Sequence, residues 1–98
     1  MKVTVEDVAQ AGRYEAHVAG TGQLAGFARY ERGEGQITFV HTEVFPAFEG
    51  HGVGSALART SLEEARMEGL QVLPLCSFYR GYLERHPEYA ELAEGDPA

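Results

Sequence analysis

Cysteine is scarce in this chain: Cys76 stands alone, so no disulfide can close within it. A lone thiol fits a reducing compartment, and we expect a cytoplasmic protein. Long apolar runs are missing as well, and no window approaches the roughly 18–20 apolar residues of a membrane span. Met1-Lys2-Val3-Thr4-Val5-Glu6-Asp7 alternates and carries acid, unlike the start of a secretory signal. Positive charge is also short. Lys and Arg number 8 against 15 Asp and Glu, for a net charge of −7, with the acids spread along the chain. Duplex binding needs a basic face to displace counterions. Neither a nucleic acid nor a membrane is therefore an expected partner. His17 and His86 lack companions at metal-ligand spacing, so no metal is expected.

What remains is the make-up of a folded protein. With 98 residues, 44% of them hydrophobic and 23% charged, the chain has the length for one small core. We expect a single domain over residues 1–93 and a disordered tail over 94–98. Lys2-Val3-Thr4-Val5 alternates polar and apolar, as does Arg13-Tyr14-Glu15-Ala16-His17-Val18, with a turn at Ala11-Gly12 between them. Gly20-Thr21-Gly22 is the next turn, and Leu24 to Tyr30 reads as a third strand. Gly33-Glu34-Gly35 breaks it, and Gln36 to Val44 reads as a fourth. Sequential strands joined by short turns usually pair, so strands one to four are expected to be mostly antiparallel.

From Val53 the period changes. Val53, Leu57, Ala58, Leu62 and Ala65 recur at helical spacing, and Gly69 is placed to end that helix. Leu70 to Cys76 then reads as a short strand. A strand, a helix and a strand in succession imply a parallel crossover, and Pro74 removes one ladder donor near this strand's end. Pairing should fail there and leave a gap between the fourth and fifth strands. Ser77 is expected to cap a last helix with Phe78, Tyr79, Tyr82 and Leu83 on its apolar face. Pro87 separates that helix from a turn over Glu88 to Ala93. The fold class is α/β, with a mixed sheet of about five strands and two helices.

The stretch Val44-Phe45-Pro46-Ala47-Phe48-Glu49-Gly50-His51-Gly52-Val53-Gly54-Ser55 lies between the fourth strand and the long helix. Glycine tolerates φ > 0 and lets a ligand approach the backbone, so alternate glycines can turn several N–H groups toward one point. The helix start adds the positive end of its dipole, which makes an anion or phosphate site. Neither Lys-Ser nor Lys-Thr follows the loop, which excludes a nucleotide triphosphatase loop, and antiparallel strands before it do not suit a dinucleotide-binding domain. A phosphate-rich ligand meets an acidic protein here, so local dipoles must overcome the overall field. A cationic second substrate suits that field better.

These residues resemble the acetyl-coenzyme A (acetyl-CoA) loop of the GNAT N-acetyltransferases, and of their short YjdJ-type branch in particular. His41-Thr42-Glu43-Val44 with Glu49-Gly50-His51-Gly52-Val53-Gly54-Ser55 carries the likeness, together with Pro74-Leu75-Cys76 and His86-Pro87-Glu88-Tyr89. The resemblance implies a minimal GNAT-like fold and acetyl-CoA as cosubstrate. It implies that backbone N–H groups from Glu49 to Ser55 hold the diphosphate, with the pantetheine arm in the gap between the fourth and fifth strands. It also implies that the N–H of Val44 points at the thioester carbonyl. Glu49 and His51 stand where many members carry Arg and Gln or Lys, so backbone rather than side-chain binding is expected.

Several side chains around the gap have two readings. Cys76, at a helix start, can accept acetyl transiently or line the channel, or it is a small buried hydrophobe. Alternation places His41 and Glu43 on one face with Ile37 and Phe39, and Thr42 on the other. His41 or Glu43 can take a proton from an ammonium acceptor, or both simply bond loops at the sheet's end. Tyr79 and Tyr82 lie near the fifth strand's end, where the resemblance implies a Tyr that protonates the leaving thiolate, while their helical spacing also suits the core; Tyr79 is placed in the cofactor site as well. The expected reaction is direct acetyl transfer to a primary amine. The acceptor, small molecule or protein, would meet an open surface of a monomer or a groove in a homodimer. The rival is a non-catalytic acyl-CoA-binding or interaction module.

Overall fold

Alternating residues and glycine turns fold the first half into a meander. The computed structural model describes residues 1–93, so the tail expected over 94–98 lies outside the described residues. Strands β1 (Val3–Val8), β2 (Arg13–Val18), β3 (Leu24–Gly33) and β4 (Gln36–Val44) pair antiparallel in sequence order. Strand β5 (Gln71–Pro74) adds to β4 in parallel, giving one sheet in the order β1-β2-β3-β4-β5. β3 is longer than its own pattern predicts, because Glu31, Arg32 and Gly33 find partners in Thr38, Ile37 and Gln36 and extend the ladder. Helices α1 (Val53–Glu68), α2 (Ser77–Arg85) and α3 (Ala90–Ala93) follow, one more than expected. The cap position of α2 is Cys76, in extended backbone, and Ser77 is already its first helical residue.

The apolar stripe of α1 decides how the layers meet. Val53, Leu57, Ala58, Leu62 and Ala65 are buried, and α1 crosses all five strands. Gly69 ends the helix at φ 70, a left-handed position glycine takes without strain. α2 covers the same face of the sheet. Its Tyr79 ring stacks on Phe39 of β4 with centroids 4.1 Å apart, and its hydroxyl lies 2.7 Å from the Ser61 hydroxyl of α1. At the far end of α1, the Tyr14 hydroxyl donates to Glu64 at 2.8 Å, Tyr30 donates to Asp7, and Arg32 pairs with Glu68 at 2.9 Å. Burial and the Asp7 carboxylate push the Tyr30 phenol up to about 12. These straps close the end of the core opposite the glycine loop.

β4 changes phase part-way. Tyr30 faces Phe39 and Ala28 faces Thr42, so two residues of β3 span three of β4, and Val40 is the extra residue of a β-bulge. Ala28, Tyr30 and Phe39 are buried beneath the helices, which puts Thr42 on that face as well. His41 and Glu43 pair with Arg29 and Phe27 on the opposite face. The expected alternation is thereby reversed: a bulge shifts a period-2 pattern by one residue and sends every later side chain to the other side. Pairing with β5 also stops here, since Phe39 faces Pro74 and the Cys76 N–H closes the ladder on the Phe39 carbonyl at 3.0 Å.

Candidate active site

Beyond Phe39, β4 runs on with a neighbour only in β3. Phe45 donates its N–H to the Ala25 carbonyl at 3.0 Å. Consecutive residues of an antiparallel strand point their backbone groups to opposite sides. Val44, one residue earlier and opposite Gly26, therefore turns its N–H away from β3, into the gap that β5 leaves. Pro46 then starts a short 3-10 turn, Pro46–Phe48, which carries the chain around to the glycines.

Gly50 and Gly52 sit at φ 82 and φ 76, where a side chain would be strained. A Cβ added to either would meet no atom within 4 Å, so their freedom serves the backbone path and the space in front of it. α1 begins with no side-chain cap, and Ala56 is the first residue to close a helical bond, to the Gly52 carbonyl at 3.0 Å. The N–H groups of Val53, Gly54 and Ser55 are the open donors that every helix start carries. An open pocket of about 260 Å³ lies in front of them. Val44, Phe48 and Phe78 line it together with the Glu49-Gly50 turn and Gly52-Val53-Gly54-Ser55. A pocket with apolar walls, glycine turns and free N–H donors suits a ligand that carries both a phosphate and an uncharged arm.

Among the residues expected at a cofactor site, Val44, Glu49, Gly50, Gly52, Val53, Gly54 and Ser55 line this pocket. His51 is exposed and lies outside its lining. Tyr79 is fully buried with its hydroxyl held by Ser61, and Tyr82 is 4% exposed, so both are core residues of α2. The member of α2 that reaches the pocket is Phe78. Its ring packs so tightly on the start of α1 that a Cβ on Gly54 would lie 2.7 Å from Cζ. Neither Phe78 nor Phe48 was expected here. Gly54, a glycine in the first turn of a helix, is the sequence signal that a bulky group leans on that turn.

Cys76 is buried at the other end of the gap, where its thiol donates to Thr42 Oγ1 at 3.2 Å. Burial pushes this thiol's pKa up. The Thr42 hydroxyl, the backbone N–H groups of Tyr79 and Phe78 at the start of α2, and the Thr42 backbone outweigh it and bring the thiol below its ordinary value. On the opposite face, His41 Nε2 stands 3.4 Å from Glu43 Oε1. Their side chains are 56% and 49% exposed, and the Phe27 ring lies 6.1 Å from His41. The gap thus separates two polar pairs: Thr42 and Cys76 beneath the helices, His41 and Glu43 on the open side. Among the described residues, no group of three or more His, Cys, Asp or Glu could hold a metal ion.

A family profile decides what this arrangement belongs to. The profile of the GCN5-related N-acetyltransferases matches residues 13–92, from β2 through the loop and gap to the last helix. The chain belongs to that family. It is accordingly an acetyltransferase, on a mixed five-stranded sheet as expected for a minimal GNAT-like domain. The fold is similar to the NMR solution structure of a GCN5-like protein from Staphylococcus aureus, itself assigned only provisionally as an N-acetyltransferase. The TM-score is 0.67 at 22% identity, covering 93% of this chain and 85% of that one. No curated protein matches the chain.

Proposed function

We propose that the chain moves acetyl from acetyl-CoA to a primary amine by direct attack of the amine on the thioester carbonyl. One observation carries this reading: the open N–H donors at the start of α1 and the N–H of Val44 front one pocket and the gap beside it. The backbone from Glu49 to Ser55 would hold the diphosphate, with Gly50 and Gly52 leaving room for it and the Glu49 side chain turned to solvent. Val44 and Phe78 would flank the arm as it enters the gap. The thioester supplies the activated acyl group, and the Val44 N–H holds the carbonyl oxygen as that oxygen gains negative charge. One such fixed donor is worth about 3 kcal/mol of barrier in comparable sites. His41 and Glu43, on the open face, would take the proton an ammonium must lose before it attacks. Cys76 would line the channel, and the hydrogen bonds that favour its thiolate also support a transient acyl-cysteine as the second route. The Pro74-Leu75-Cys76 strand end and the His86-Pro87-Glu88-Tyr89 turn support a place in the YjdJ-type branch.

The rival, an acyl-CoA-binding module without an acceptor, shares the cradle and lacks turnover. Thermal denaturation with acetyl-CoA, followed by thiol release across a panel of amines, polyamines and peptides, separates the two. At a hundred times its dissociation constant a ligand adds about 2.7 kcal/mol of stability. We expect that shift and thiol release with at least one amine. A shift without release would favour the module, and no shift at millimolar cofactor would remove both readings.

A further inference from the structure

We propose that Arg59 of α1, aided by Arg85 of α2, binds the 3′-phosphate of coenzyme A and makes the chain select coenzyme A over its 3′-dephospho form. The proposal rests on the acetyl-CoA reading above. It begins from the scarcity of positive charge in a chain of net charge −7. Arg13, Arg32 and Arg66 pair with carboxylates, and Arg80 donates to the Pro74 and Leu75 carbonyls. Arg29, Arg59 and Arg85 are exposed and enter no ion pair among the described residues, and Arg29 lies apart from the other two, on β3 opposite His41. An acidic protein that leaves two guanidiniums unpaired near one point has a positive spot there for an anion to find.

The place of that spot is what gives it a ligand. Arg59 follows Ser55 by four residues, so the two share one face of α1, about 6 Å apart along the axis. Ser55 lines the pocket. On α2, Phe78 lines the same pocket, and Tyr82, one turn on, lies 6.3 Å from the Phe78 ring. Burial pushes the Tyr82 phenol up, and the charges of Arg59 and Arg85 oppose that rise. The seam between α1 and α2 therefore leads from the pocket to Arg59, one helical turn past Ser55, and to Arg85, about two turns past Phe78 on the same face of α2. Glu63 and Glu88 also face Tyr82. Both are engaged elsewhere: Glu63 accepts from the Tyr89 hydroxyl at 2.6 Å, and Glu88 stands 3.6 Å from His86. In coenzyme A the 3′-phosphate hangs from the same ribose as the diphosphate, so with a diphosphate at the start of α1 the second anion is within reach of Arg59, one turn along that helix.

Titration calorimetry with coenzyme A and 3′-dephospho-coenzyme A, on the wild type and on Arg59→Gln and Arg85→Gln, tests this. We expect the wild type to prefer coenzyme A by about five- to tenfold, the range of charge-assisted contacts that remain partly solvated. Arg59→Gln should bring that ratio close to one while leaving affinity for the dephospho form within about twofold. Arg85→Gln should lower the ratio less, and added salt should lower it in the wild type. Equal binding of the two ligands by the wild type, or an unchanged ratio in Arg59→Gln, would overturn the proposal and leave the acetyl-CoA reading standing. Binding of neither ligand by the wild type would overturn both.

Discussion

The two halves of β4 share a neighbour in β3 and differ in everything else. Gln36–Phe39 is held on both sides, with Ile37 and Phe39 buried and the β5 ladder closed on them. Val40–Val44 has β3 alone, and three of its five residues are polar: His41, Thr42 and Glu43. One extra residue, Val40, and one missing donor, at Pro74, separate a strand that holds the core from a strand that lines a site. The same backbone therefore carries two kinds of residue, and substitutions on either side of Val40 should fail in different ways.

The largest effect is expected in the paired half. Phe39 is fully buried, stacked on Tyr79 and within 6.4 Å of the Tyr30 ring. Phe39→Ala leaves a cavity that strands and helices cannot fill, at about 3–5 kcal/mol. His41→Ala, two residues on, removes an exposed ring and should cost under about 0.5 kcal/mol. Yet it should slow acetyl transfer by about 100-fold or more where His41 takes the acceptor's proton. Urea unfolding and thiol release on both variants measure the contrast. Equal losses of stability would erase the distinction between the halves.

A middle effect is expected where β3 supports the open half. Gly26 lies opposite Val44, and a Cβ there would sit 2.5 Å from the Glu43 carbonyl oxygen and 3.2 Å from the Val44 Cα. Backbone cannot swing aside as a side chain can, so Gly26→Ala must push Val44 and its N–H out of line. We expect a loss of about 1–3 kcal/mol in stability, the range for overpacking. Weaker acetyl-CoA turnover should accompany it. Gly54→Ala is the milder control, since the atoms nearest its Cβ belong to the Phe78 ring, the far end of a side chain that can turn aside. If Gly26→Ala proved as mild as Gly54→Ala in urea unfolding, the close approach at Val44 would not matter.

How much of this was legible beforehand follows from what each feature depends on. The meander, α1, its end at Gly69 and the failure of pairing at Pro74 depend on local pattern and on residues that act alone, and the sequence displays both. The glycine loop is legible for the same reason. The bulge at Val40 is different: it exists only as a count of β3 residues against β4 residues, and neither strand shows it by itself. Alternation carried through His41 and Glu43 therefore reached the wrong face. Phe48 and Phe78 reach the pocket through the turn after Pro46 and the packing of α2 on α1, contacts between segments far apart in the chain. Tyr79 looked like a site residue because it lies near the end of the fifth strand, where the family resemblance places a Tyr, but α2 points it into the core, where Ser61 meets it.

Thr42 gives the smallest and most specific test of the reversed face. Had strict alternation held, its side chain would lie on the open side, away from Cys76; it lies 3.2 Å from the sulfur. Burial favours the neutral thiol, and the Thr42 hydroxyl together with the α2 N–H groups of Tyr79 and Phe78 favours the thiolate. Thr42→Val keeps the shape and removes the hydroxyl, so burial is less opposed and the Cys76 pKa must rise. Thr42→Ser keeps the hydroxyl and should restore most of the wild-type titration. Thiolate absorbance followed against pH reads this directly. A Thr42→Val curve that overlays the wild type would return Thr42 to the open face and remove the bulge as the device that makes the site.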